Sequence, residues 1–160
     1  MEQNQVSFFD YFTNRNKLSL QNLHKLIYQS YSSLQIIHDS GYYHGELGDC
    51  DSIILNGDLN NWHTVNIVGY DNNLIHDDKN FVNDDIQTLA YMIWQIIVGD
   101  MCYTKDKKGK IIHMEHTKFL YLVKKSSKQF NDYNTYLKLL LWIFETKPTI
   151  SNILEKISKI

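Results

Sequence analysis

Residues 85–98 constrain this chain more than any other stretch. Ile86, Leu89, Ala90, Tyr91, Met92, Ile93, Trp94, Ile96 and Ile97 fall on nearly every face of a helix. A helix that is apolar all round is stable only when its neighbours enclose it. The segment falls short of the ~20 apolar residues that a membrane span requires, so it predicts the central pillar of a globular fold, with Gly99 as its stop. At 160 residues and 18.9 kDa the chain is long enough for one core, and a single domain over 1–160 is expected. The start MEQNQVSFFD has no basic-then-apolar signal. A soluble, intracellular and cytoplasmic protein is therefore expected, with no membrane segment.

The shell around the pillar is legible in outline. Ser19 is an N-cap for a helix carrying Leu20, Leu23, Ile27, Tyr31, Leu34 and Ile37 at three- and four-residue steps, ended by Gly41. Two β-rich runs, 52–55 and 64–68, flank the turn-prone NGDLNN and predict a hairpin. CYTKDKKGKIIHM predicts a second hairpin. Helical patterns follow at 116–123, 133–144 and 150–160, the last opening after Pro148 and Thr149 with a Glu155/Lys159 pair. The expected fold class is mainly α with a small β-hairpin.

Sixteen basic against eighteen acidic residues leave a net charge of −2, so no global positive field gathers nucleic acid, and no nucleic-acid partner is expected. Cys50 and Cys102 are too few for a disulfide framework and read as buried free thiols. His113 and His116 lack a third ligand and read as surface histidines. Asp77, Asp78, Asp84 and Asp85 lack the spacing of a calcium loop and read as a solvated turn. Lys105, Lys107, Lys108 and Lys110 form a basic hairpin tip, solvated or facing an acidic partner.

The order of segments carries more information than any one residue. A helix, then His44-Gly45-Glu46-Leu47, a strand pair and DDIQTLAYMIWQIIVG resemble the C-terminal lobe of the protein kinase fold. IHDSGYYHGELGDCDSIIL resembles the long helix, catalytic loop and following strand, and VNIVGYDN the strand leading to the metal-binding DFG segment. The DD-x-x-x-L-x-Y form is similar to the vaccinia-related and casein-kinase-one branch, as is LLLWIFETKPTISNILEKI to its last two helices. VSFFDYFTNRNKLS resembles the interlobe linker and first C-lobe helix, so the likeness runs from about Val6 to the end. It implies an isolated kinase C-lobe, a truncated domain without the N-lobe and its phosphate loop.

Phosphoryl transfer needs a carboxylate to accept the hydroxyl proton and oxygen ligands for Mg²⁺. The likeness places Glu46 at the catalytic aspartate, Gly45 at the arginine before it, and Gly48 at the catalytic-loop lysine. Asp51, or Ser52 one residue on, falls at the metal-binding asparagine. Gly69, Tyr70 and Asp71 fall at DFG, so Gly69 removes a metal ligand. The segment 72–84 has no APE-like triplet, and Lys147 stands where an arginine pairs with the APE glutamate. Asp85 matches the aspartate that hydrogen-bonds the catalytic-loop backbone and is expected to be a structural anchor.

These positions (His44, Glu46, Asp51 and Gly69) are read as degenerate, which implies a pseudokinase with no catalytic residues, cofactor or metal. The expected role is to bind another protein, an authentic kinase as decoy or scaffold, or a second copy of the chain. The alternative is a divergent or split kinase that uses Glu46 and Asp51 with an N-lobe supplied in trans. Val6, Phe8, Phe9, Ile53, Leu55, Val68 and Tyr70 are the stretches that an N-lobe would cover. Phe8, Phe9 and Tyr70 are the candidates for partner contact, unless the N-terminal segment folds back over that face.

Overall fold

In chain order the computed structural model contains β1 (Gln5–Ser7), α1 (Phe8–Thr13), α2 (Leu20–Asp39), β2 (Ile53–Asp58), β3 (Asn61–Ile67) and α3 (Asn80–Val98). It continues with β4 (Tyr103–Lys105), β5 (Ile111–His113), α4 (His116–Gln129), a 3₁₀ turn (Asn131–Tyr133), α5 (Asn134–Thr146) and α6 (Ile150–Ser158). Residues 5–13, 19–47, 52–58, 61–69, 74, 80–99, 103–109, 111–113 and 115–160 are described, without the side chains of residues 9, 12, 13, 103–105, 111, 113 and 116. Cys50, Cys102, Asp77, Asp78 and Lys110 lie outside them, as do the side chains of Lys105, His113 and His116.

The fold is mainly helical, with a three-stranded antiparallel sheet rather than a lone hairpin. The order is β1-β2-β3, with Val6 opposite Leu55 and Leu55 opposite Val65. Most of NGDLNN belongs to the strands, because the ladder slips at Asn56/Gly57. Gly57 has φ +131, and a Cβ there would meet the Asn61 carbonyl oxygen at 2.5 Å, so only glycine fits this bulge. Ser19 caps α2, its Oγ accepting from the Asn22 amide at 3.0 Å. α2 packs on β3, α3 and α6. Its Lys25 ammonium donates to the Trp62 carbonyl, and Gln29 Nε2 donates to the His63 carbonyl at 2.8 Å, so side chains of α2 reach the backbone of β3.

α3 is the pillar: Leu89 through Ile97 are buried without interruption. On one side its Tyr91 and Trp94 meet Phe119 of α4 at ring separations of 4.4 and 5.2 Å. Phe144 of α5 closes the cluster at 4.8 Å from both Tyr91 and Phe119. Such edge and tilted pairs add to the area that the rings bury. On the other side Tyr31 of α2 donates its hydroxyl proton to the Ile86 carbonyl at 2.9 Å.

Two helices are longer than apolar periodicity predicts. α3 starts at Asn80, where the first turn carries Phe81, exposed, and Val82, partly buried, between asparagines. α4 runs through KKSSKQ to Gln129, with Ser126 buried and its hydroxyl bonded to the Leu122 carbonyl at 2.6 Å. α5 ends at Lys147, whose φ of +47 lies in the left-handed region usually taken by glycine; Pro148 then blocks continuation. Thr149 caps α6 through the Asn152 amide.

Candidate functional site: a loop clamped by a buried aspartate

Asp85 lies in the second turn of α3 and is 1% exposed. An isolated carboxylate at that depth is costly, and it persists only where donors surround it. Three do. Oδ2 accepts from the His44 amide at 2.7 Å and from His38 Nε2 at 2.9 Å, and Oδ1 accepts from the Gly45 amide at 2.8 Å. Charge-assisted bonds of this kind are roughly twice as strong as neutral ones. The clamp therefore ties the loop after α2 to the pillar through its backbone, independent of what side chains that loop carries.

His44 is also buried, and both ring nitrogens have backbone partners. Nδ1 accepts from the Glu46 amide at 3.0 Å, and Nε2 faces the Val68 carbonyl at 2.6 Å. An amide can only donate and a carbonyl can only accept, so the ring proton sits on Nε2. A second stitch runs beside it: the Val68 amide donates to the Ser52 carbonyl at 2.8 Å, and the Ser52 hydroxyl to the Glu46 carbonyl at 3.4 Å. Leu47 is wholly buried below. Residues 44–47 are thus bonded to α3, to the start of β2 and to the end of β3.

Chemistry is carried by what points outward. Glu46 is exposed. Gly69 is exposed with φ +83, a conformation that L side chains rarely adopt, although a Cβ would meet only His44 Nε2 at 3.8 Å. Asp51, Gly48, Tyr70 and Asp71 lie outside the described residues. Among the described residues, Gly69 offers no side-chain oxygen at the position that the likeness gives to a metal ligand, and its φ disfavours a residue that would. Ser52, the alternative ligand, donates its hydroxyl proton to the Glu46 carbonyl, which orients its oxygen lone pairs without engaging them.

Four residues of the apolar face considered for partners are covered by the chain itself. Val6, Ile53 and Leu55 are buried, and Phe8 is 1% exposed. The N-terminal segment folds back as β1 and α1, so Phe8 is a core residue and not a partner contact. The side chain of Phe9 lies outside the described residues. Val68 remains 44% exposed, and Phe81 stacks on Tyr43 at 4.3 Å.

His38 is the residue that sequence reasoning missed. It sits in the last turn of α2, its side chain 8% exposed, and its Nδ1 has no partner among the described residues. Its signal is positional: it follows Leu34 and Ile37 on the inward stripe, which forces an imidazole inside. Behind it a cavity of about 410 Å³ opens between the end of α2, the start of α3 and the turn at Lys147–Pro148.

No family model matches this chain, and no curated protein matches it.

Proposed function

We propose that the chain is a kinase-like C-lobe that transfers no phosphate and acts by binding another protein, an authentic kinase as decoy or scaffold. The observation that carries this reading is the clamp of Asp85 on the His44 and Gly45 amides. It is the contact that the likeness assigns to that aspartate, made to a loop that turns Glu46 outward, with Gly69 beyond the neighbouring end of β3. Backbone donors must be satisfied in any folded lobe, active or not. A clamp retained beside a glycine at the metal position supports a loop kept for its shape. Lys147, on the rim of the cavity beside His38, stands where the likeness expects an arginine that anchors the substrate-docking segment.

The test has two arms. Radiolabelled phosphate transfer from ATP, with Mg²⁺ and generic protein substrates, is compared between wild type and Glu46→Gln; equal background rates are expected. Surface plasmon resonance against a panel of purified protein kinases is expected to give saturable binding to at least one. Transfer that is lost in Glu46→Gln, with or without an added N-lobe, would establish the split-kinase reading instead.

A further inference from the structure

We infer that the exposed face of α4 docks an acidic segment of the protein partner, which rests on the protein-binding reading above. The charge of this chain is segregated. Residues 101–130 hold eight of its sixteen basic residues and two of its eighteen acidic ones, a surplus of six positive charges in a chain of net −2. α4 itself contains Lys118, Lys124, Lys125 and Lys128 and no acidic residue. Its buried side, with Phe119, Val123 and Ser126, is fixed to the core. The opposite side is a stripe of Lys118, Tyr121, Lys125 and Lys128, spaced three, four and three residues apart and all exposed.

Helix stability does not explain that stripe. Lysines in the last turns complement the macrodipole, but Lys118 stands in the first turn, where the dipole disfavours a cation. Tyr121, at the centre, leaves 65% of its surface in solvent, so its ring is presented between the flanking ammonium groups. Among the described residues Lys124 reaches Glu145 at 3.9 Å, whereas Lys118, Lys125 and Lys128 have no carboxylate within bridging distance. Three uncompensated cations around an aromatic ring match carboxylates flanking an apolar residue.

The occupant is a short acidic peptide rather than nucleic acid for two reasons. Arg15 is the sole arginine of the chain, and arginine is the residue suited to bidentate phosphate recognition. A long polyanion would also run past the ~21 Å of α4 onto a remainder whose net charge is −6, and be repelled there. A short segment meets only the positive face.

The probe is a fluorescein-labelled Glu-rich peptide of about eight residues with one Leu, which when extended spans the ~21 Å helix. Anisotropy titrations compare wild type with the triple variant Lys118→Gln/Lys125→Gln/Lys128→Gln and with Tyr121→Ala. Lys124 is kept, and unchanged helical circular dichroism certifies the fold; the three single variants replace the triple if it melts early. The triple variant should bind about tenfold or more weakly, and Tyr121→Ala several-fold more weakly. Wild-type affinity should fall as salt rises from about 50 to about 200 mM. Equal affinity of the folded variants, no measurable wild-type binding, or tighter binding of an oligo-dT or of phosphatidylserine vesicles would overturn the inference. A kinase that binds the triple variant as tightly as wild type would also overturn it, yet leave the protein-binding reading standing.

Discussion

Asp85 concentrates more of this molecule's polar bonding than any other side chain described above. Replacing it with alanine leaves the buried His44 amide, the part-buried Gly45 amide and the His38 ring N–H without their acceptor. Each orphaned donor carries a desolvation penalty, and relaxation of the loop recovers part of it. Asp85→Ala is therefore expected to lower stability by about 1–3 kcal/mol, read as a lower urea midpoint with an unchanged slope. Asp85→Asn keeps one acceptor oxygen and should cost less. An alanine variant that unfolds at the wild-type midpoint would remove Asp85 from its role. The same residue marks what could be read in advance. Spacing alone read Asp85 as part of a solvated turn, and only the resemblance in segment order marked it as an anchor; nothing in the spacing of His38 and Asp85, 47 residues apart, declares that they meet.

Between elements, the hydroxyl of Tyr31 joins α2 to α3. Burial raises its pKa well above the ordinary tyrosine value, and burial likewise pushes Tyr11 up to about 12. The unfolded chain loses these protons near pH ~10, whereas the folded chain holds them. Their contribution is thus fully present below about pH 10 and declines as pH rises toward the folded values. A urea midpoint that drops steeply above about pH 10 is expected, and Tyr31→Phe should flatten that limb by about one proton while costing ~1 kcal/mol at neutral pH. An alkaline limb identical in both proteins would contradict this. Elements with a strong apolar stripe, such as α2 and the core of α3, were legible from the sequence, and so was the cap at Ser19. β1 was not, because three residues carry no period and its pairing with β2 spans some fifty positions. The second half of α4 was not, because KKSSKQ shows one buried serine where a stripe would show leucine.

For the molecule as a whole, two surfaces carry the proposals made above. One is the clamped loop with its stitches from Ser52 and Val68, which displays Glu46 beside Gly69. The other is the basic face of α4, displayed on the far side of an aromatic cluster that fixes it to the pillar. The edge of β2 that a lone hairpin would leave open is paired by the chain's own β1. The central claim is that the loop keeps its form and has no nucleotide chemistry. Its most direct test is thermal unfolding with and without millimolar ATP and Mg²⁺. A ligand at about a hundred times its Kd stabilises a fold by ~2.7 kcal/mol, which for a domain of this size raises Tm by roughly 5–10 °C. An unchanged Tm is expected; a reproducible, magnesium-dependent rise of several degrees would contradict the account.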